Sequence, residues 1–168
     1  MFDIAQWGLG MDKNGPVEAS PIGDGTQYMQ FKYANGVVMT SEPFDEKNTK
    51  GVKFTGKDGW IEVSRGYFNA SDNKFLPPPA KKEDANVPYE TKIPHQVNFI
   101  EAVRERKDPV VPVEIGHSSC TVCNLGNIAC ELKRTVKWDP LKEVFIDDAD
   151  GAATKLMHYE YRSGYTLV

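Results

Sequence analysis

What this sequence lacks excludes several classes of protein. Its 168 residues include three cysteines, Cys120, Cys123 and Cys130, and an odd, clustered set argues against a disulfide framework and favours a reducing compartment. The apolar runs stay well short of the roughly 20 residues that span a bilayer, and the first residues lack the basic region of a signal peptide. With 20 basic and 24 acidic residues the net charge is −4, without the basic patch that binds nucleic acid. We therefore expect neither membrane insertion nor nucleic-acid binding.

The length suits one domain, and 40% hydrophobic and 26% charged residues are typical of a globular protein. We predict a single domain over residues 1–168 with two loop-rich segments. Residues 10–25, "GMDKNGPVEASPIGDG", are too rich in Gly, Pro and Asp to favour regular structure. Residues 69–94 contain "LPPPAKKEDANVP", which has no periodicity and predicts a surface crossing.

Residues 26–68 have the pattern of β-strands. Two pairs of strand-like runs flank "ANG" and "KDG", and Asn-Gly or Asp-Gly between such runs is a strong signal for a hairpin. Apolar and polar residues alternate along the runs, which predicts one buried and one wetter face. We expect both hairpins to lie in one sheet, with a buried set of Met29, Phe31, Tyr33, Ile61 and Val63.

Helical patterns occupy residues 2–9 and 95–134. The second region divides into a helix after Pro94 and another that Ser118 or Ser119 could cap. A tail with a short strand and a short helix follows. Strands followed by helices around one core predict the α+β class. The expected apolar faces are Val97, Phe99, Ile100 and Val103 on the first helix, and Val122, Leu125, Ile128, Ala129 and Leu132 on the second.

Cysteine and histidine spacing offers a weak candidate site. Cys120 and Cys123 form a Cys-x-x-Cys with His117 and Cys130 nearby, but a structural zinc site normally shows a second such pair, and a redox pair wants a strand-to-helix context. The sequence favours small apolar side chains on a half-buried helix. We assign structural roles to His95 and His117, for which no carboxylate partner is obvious, and a packing role to His158.

Motifs that would identify an enzyme are missing. There is no Gly-x-Ser-x-Gly or His-Glu-x-x-His, and "WGLGMDKNG" has a Gly-x-Gly without the preceding strand and third glycine of a dinucleotide fingerprint. Residues alone therefore predict no catalytic group, no metal site and no cofactor site.

The order of six blocks nonetheless resembles a known family. These blocks are "FDIAQWGLGMDKNGPVEA", "YANGVVM", "VKFTGKDGWIEVSRG", "HQVNFIEAVRERKDPVVPVEIGHSSCTVCNLGNIA", "VKWDPLKEVFIDDADGA" and "YRSGYTL". Together they resemble the C-terminal half of bacterial Gfo/Idh/MocA oxidoreductases, the glucose–fructose oxidoreductase and inositol dehydrogenase family. The resemblance implies an α+β domain with an open, mainly antiparallel sheet, covered by helices on one face, and a preceding Rossmann domain that holds NAD or NADP.

The resemblance also implies where the active site falls. The family transfers hydride with a lysine of the nucleotide domain and an Asp-x-x-x-His pair, and "FDIAQW" matches the segment that directly follows the pair. We expect the Asp and His just before residue 1, which would explain why the opening helix has no capping residue. No catalytic residue is therefore expected in this chain. Asp3, Gln6 and Trp7 would face or buttress the substrate pocket, although Asp3 could instead cap its helix and Trp7 could lie in the core.

Three functions follow as hypotheses. The first is the substrate-binding and oligomerisation part of an NAD(P)-dependent oxidoreductase acting on a sugar or polyol. That fragment would bind no cofactor and would be inactive alone, because hydride transfer needs the cofactor within reaction distance of the substrate. The second is a stand-alone interaction or carbohydrate-binding module derived from that domain. The third is an NAD-dependent glycosidase of the same superfamily.

An antiparallel sheet bearing several aromatic residues predicts a homo-oligomer through its open face. A small sugar-like substrate is the other expected partner, in the full-length protein. The cysteines favour the cytoplasm, whereas the resemblance also allows an exported protein. The aromatic residues of this sheet are Tyr28, Tyr33, Phe54 and Trp60.

Overall fold

The computed structural model describes residues 1–43, 51–64, 67–77, 94–159 and 161–164. Most of the predicted 69–94 crossing and part of the final "YRSGYTL" block lie outside these ranges, and the single domain over the whole chain stays a prediction. In chain order the elements are α1 (Phe2–Gly8), β1 (Glu18–Ile22), β2 (Tyr28–Lys32), β3 (Val38–Ser41), β4 (Val52–Gly56), β5 (Gly59–Ser64), β6 (Tyr67–Ala70), a 3-10 turn (Asn73–Phe75), α2 (His95–Glu105), α3 (Val113–Leu132), β7 (Val136–Asp139), β8 (Val144–Ile146) and α4 (Ala152–Lys155).

The larger sheet has five strands in the order β3-β2-β1-β7-β8, with every neighbouring pair antiparallel. Its central strand is β1, which lies within residues 10–25, so the prediction of a loop over the whole of that segment is wrong. The reason is tertiary: Ala19 pairs with Phe31 on one side and with Val136 on the other, so sheet pairing overrides local composition. Pro21 is tolerated because it lies beyond the residues that pair with β7.

The hydrophobic core lies between this sheet and α3, which confirms the α+β class. Phe31 and Tyr33 of the β2 region are buried, and Phe2 of α1 packs edge-on against Phe31 with ring centroids 5.5 Å apart. The predicted apolar face of α3 is buried, apart from the partly exposed Leu132. The core residues are Ala19, Phe31, Tyr33, Val122, Leu125, Ile128, Ala129, Val136, Trp138 and Ala153.

Both predicted hairpins form. The β2–β3 loop closes with Gly36 at φ 85°, a left-handed conformation that suits glycine. The expectation that the hairpins share one sheet is wrong, since β4, β5 and β6 form a separate three-stranded sheet. The free edge of β5 pairs with β6 rather than with a strand of the first hairpin, which completes its hydrogen bonds locally.

In the three-stranded sheet, the buried and the exposed faces of β5 are the reverse of those predicted. Glu62 is 5% exposed, whereas Ile61 and Val63 are half-buried. The buried carboxylate is compensated by Lys53 Nζ at 2.9 Å and by the Tyr67 hydroxyl, which donates at 3.1 Å. A charge can replace an apolar residue inside a protein when it is paired in this way.

Helix α3 begins five residues before the predicted serine caps. Pro112 precedes its first turn, where a missing N–H is harmless, so Ser118 and Ser119 lie inside the helix. Helix α2 forms as predicted, but all four residues of its apolar stripe are exposed, because its buried face carries Ala102 instead. In the tail, the expected single strand is a hairpin of β7 and β8.

Helix α3 lies so close to β2 that only glycine fits at the crossing. A β-carbon at Gly126 would overlap Met29 Sδ and lie 2.9 Å from Phe31 Cζ. We expect Gly126→Ala to lower the free energy of unfolding by about 1–3 kcal/mol through overpacking. Gly116→Ala, in the same helix with nothing within 4 Å, is the control and should raise it by up to about 1 kcal/mol. Urea unfolding measures both, and equal effects would contradict this packing.

A carboxylate cap predicts how stability depends on pH. The backbone N–H of Thr154 donates to Asp148 Oδ2 at 2.9 Å and, with the Thr154 hydroxyl and the Ala153 N–H, lowers the Asp148 pKa to about 2 from its ordinary 3.8. Because the folded pKa is depressed, the carboxylate stabilises the fold above about pH 4 and loses this effect as pH falls towards 2. The urea midpoints of wild type and Asp148→Asn should therefore differ at pH 6 and converge near pH 2. The exposed-turn variant Asp58→Asn should track wild type throughout.

Candidate functional site

The buried Gln6 side chain joins α1 to the loop that follows it and to α3. Its Nε2 lies within hydrogen-bond distance of three acceptors, Met11 O at 3.1 Å, Asn14 O at 2.9 Å and Ser118 Oγ at 3.0 Å. The Ser118 hydroxyl donates in turn to Asn14 O at 2.6 Å. Gln6 is fully buried, so it buttresses the surroundings of α1 rather than presenting its amide to a ligand.

Tyr33 completes this network from the sheet side. Its hydroxyl donates to Gln6 Oε1 at 2.6 Å, and burial raises the pKa of Tyr33 to about 12, so the proton stays on the phenol. Tyr33 is 3% exposed, which confirms its place in the predicted buried set. Every polar atom of the Gln6 amide therefore has a protein partner, as a buried amide requires.

In contrast to the buried Gln6, Asp3 and Trp7 of the same helix lie on the protein surface. They are one turn apart, both exposed, and Trp7 is 72% exposed, so Trp7 is not a core residue. Asp3 lies in the first turn, and its Oδ1 accepts a hydrogen bond from the Ser119 hydroxyl at 3.0 Å. Of the three residues named from the resemblance, Gln6 thus points into the protein, whereas Asp3 and Trp7 face solvent.

The cysteines are unpaired thiols along α3. Cys123 contacts the backbone carbonyl of Ser119, and burial raises the pKa of the Cys123 and Cys130 thiols, which disfavours the reactive thiolate. Within the part of the chain that the structure describes, His, Cys, Asp and Glu side chains form no group of three that could hold a metal ion. This arrangement favours the packing role over a redox pair or a zinc site.

His117 has a carboxylate partner that the sequence did not indicate. Its Nε2 lies 2.5 Å from Glu143 Oε1, a residue of the β7–β8 turn. The pair stands on the wall of an open groove of about 1050 Å³, whose lining includes Asn124, Trp138 and His158. His158 is exposed there rather than packed. The groove offers amide, imidazole and carboxylate groups, which can hydrogen-bond a polar small molecule.

The described strands do not form the parallel unit of a Rossmann fold. Every strand pair in the described ranges is antiparallel, whereas a dinucleotide fold needs parallel strands with a glycine loop before a helix. Gly8 of the Gly-x-Gly stretch lies at the end of α1, where a β-carbon would overlap the Phe54 ring. That glycine allows close packing between α1 and the smaller sheet.

Sequence reasoning missed the partners of Gln6. The pattern predicts a cap at Ser118 and only a buried side chain at Tyr33, whereas both bind the Gln6 amide. A polar residue at an inward position of a short apolar helix was the available signal, because a buried amide needs partners. The His117–Glu143 pair joins residues far apart in sequence and left no local pattern.

Comparison with known proteins agrees with this architecture of an antiparallel open sheet covered by helices. Residues 2–167 match the Gfo/Idh/MocA family model described as "Oxidoreductase family, C-terminal alpha/beta domain". The chain belongs to this family of oxidoreductase C-terminal domains. Searches of curated proteins and of solved structures gave no match. Over the described ranges, every helix is too short or too polar to cross a membrane.

We expect Gln6→Leu to lower the free energy of unfolding by about 2–3 kcal/mol, because it removes the acceptor of the buried Tyr33 hydroxyl and the amide hydrogen bonds to Met11 O, Asn14 O and Ser118 Oγ. Trp7→Leu, one residue along the same helix and exposed, should change it by less than about 0.5 kcal/mol. Chemical denaturation measures both. Equal losses in the two variants would show that the amide network does not hold α1.

Proposed function

We propose that this chain is the substrate-side part of an NAD(P)-dependent oxidoreductase that acts on a sugar or polyol. The observation that carries the proposal is the family match, which spans residues 2–167 and names the C-terminal domain of an oxidoreductase. In the proposed parent protein a preceding nucleotide domain supplies the cofactor and the catalytic lysine, and the Asp and His lie just before residue 1. The chain by itself transfers no hydride, because it cannot place a cofactor against a substrate carbon.

Within this proposal the residues of α1 have separate roles. Asp3 and Trp7 are exposed and one turn apart, so a carboxylate and an indole ring face the side from which substrate would come. An acidic hydrogen-bond acceptor beside an aromatic ring suits a polyhydroxylated ligand. Gln6 is the positioning residue, since its amide fixes α1 against α3 through Ser118. The cytoplasm and self-association through the open sheet face stay predictions.

The cofactor prediction is tested by titrating NADH and NADPH into the 168-residue chain and following nucleotide fluorescence. We expect no saturable binding and no dehydrogenase turnover with sugars or polyols, because the described part of the chain contains no dinucleotide-binding unit. A chain extended by its upstream coding sequence is the positive control and should bind one of the nucleotides. Tight binding by the 168-residue chain would contradict the proposal. The absence of an upstream nucleotide domain would favour the stand-alone module.

A further inference from the structure

One residue of the β7–β8 turn has a backbone conformation that does not suit its type. Glu143 has φ 54°, in the left-handed region that glycine, asparagine and aspartate adopt most readily. Three other non-glycine residues of the described ranges share this conformation. Two of them, Arg106 and Lys133, are helix C-caps, where it is ordinary, and the third is Asp147, which is of a favoured type. The conformation of Glu143 is therefore the one that needs an explanation.

Stability does not explain a glutamate at this position. A glycine or an asparagine in the last position of the turn would adopt the same conformation with less strain. The side chain of Glu143 forms an ion pair with His117 at 2.5 Å, but the two side chains are 50% and 58% exposed. Exposed ion pairs contribute little to stability, because water screens them. Strained residues cluster at binding and active sites, which makes the His117–Glu143 pair a candidate binding group.

The carboxylate of the pair determines which nitrogen of the imidazole can accept a hydrogen bond. Because Glu143 Oε1 lies beside His117 Nε2, the proton of a neutral imidazole is held on Nε2, and Nδ1 is left as an acceptor. The other carboxylate oxygen, Glu143 Oε2, is a second acceptor. The pair stands on the wall of the groove of about 1050 Å³, so it offers acceptors to the hydroxyl groups of a ligand there.

The surface of the groove combines an apolar floor with exposed amides. Leu125, Ile128 and Trp138 are buried beneath it, and Asn124 and Asn127 are exposed along α3. A sugar ring has the matching properties, because its C–H groups form apolar faces and its hydroxyls donate and accept hydrogen bonds. Sites for small ligands typically join an apolar lining to a few placed polar groups in this way.

The charges of the groove favour a neutral ligand. Among its described lining residues, Glu131 and Lys133 add one charge of each sign to the carboxylate of Glu143. Recognition of a phosphate or carboxylate group relies on strong cationic donors such as arginine, and one lysine against two glutamates does not supply a net positive field. The groove therefore suits a ligand that is polar but uncharged.

Two residues of α3 set a minimum length for this ligand. His117 and Asn124 lie seven residues apart on one flank of the helix, or about 10 Å along its axis. A ligand that contacts both is longer than one sugar ring, and the groove has room for it. We propose that the groove binds a neutral oligosaccharide of at least two rings, with the His117–Glu143 pair as its polar anchor. The inference concerns binding rather than hydride transfer, so it does not depend on a cofactor.

The proposal is tested by titrating the isotope-labelled chain with neutral hexasaccharides of glucose, mannose, xylose and galactose and following the backbone amide resonances. At least one hexasaccharide should bind with a Kd of about 1 mM or tighter and shift the amides of His117, Asn124 and Glu143. The corresponding monosaccharide should bind at least about tenfold more weakly, because it cannot contact both ends of the site. The hexamer of galacturonate differs from that of galactose in its carboxylates, so it is the charged control and should bind more weakly.

Two glycine substitutions separate binding from stability. Glu143→Gly removes the anchor and relieves the left-handed strain, so it should weaken binding at least about tenfold without lowering the thermal midpoint. Arg106→Gly is the matched control, because it relieves the same conformation at the C-cap of α2, and Arg106 does not line the groove. It should leave binding unchanged. His117→Ala should weaken binding as Glu143→Gly does.

Several results would overturn the proposal. These are the absence of binding by every neutral hexasaccharide, equal binding of the monosaccharide, tighter binding of the galacturonate hexamer, and unchanged binding by Glu143→Gly. A loss of binding that Arg106→Gly shares would also overturn it. Shifts confined to Trp7 and its neighbours would overturn this inference while supporting the proposed role of α1 in sugar binding. Conversely, tight NADH binding would contradict the proposed function and leave this inference standing.

Discussion

The Gln6 amide is the interaction on which the arrangement of α1 depends. One side chain, buried without exposure to water, contacts the loop after α1, Ser118 of α3 and Tyr33 of the sheet region. Helices as short as α1 are marginal alone and need tertiary contacts to persist. The amide therefore holds this helix against α3 and the sheet, and it fixes the side from which Asp3 and Trp7 face solvent. A buried side chain thus determines which surface of the domain is the proposed substrate side.

Helix α3 organises the rest of the domain. It packs on β1, β2 and β7, contacts α1 through Ser118 and Ser119, and carries the buried face that begins at Val122. The other two long segments of helix relate to α3 in different ways. Helix α1 is held against α3 by hydrogen bonds. Helix α2 is joined to α3 by a short link, and its apolar face is exposed. The attachment of α1 to α3 is therefore polar, whereas the outward face of α2 is apolar.

Local patterns predicted local structure well. Asn35-Gly36 marked the first hairpin, the apolar face of α3 was named almost completely, and the α+β class followed from element order. Long-range effects were not predictable from the sequence alone. The central strand β1 exists because two distant strands flank it, Glu62 is buried because Lys53 and Tyr67 compensate its charge, and His117 meets a glutamate of a distant turn. Of the candidate site, the resemblance located the helix, but only the structure separates inward Gln6 from outward Asp3 and Trp7.

The position of β1 has a consequence for the order of folding. Its pairing with β7 joins Ala19 to the distant Val136, so the middle of the five-stranded sheet cannot close until the chain has been synthesised through β7. Closing so large a loop is entropically costly and slows folding. Until then β1 has an unsatisfied edge, which is where strands from other molecules can add. The interval before β7 is synthesised is therefore the period in which this sheet is most open to strand addition by other chains.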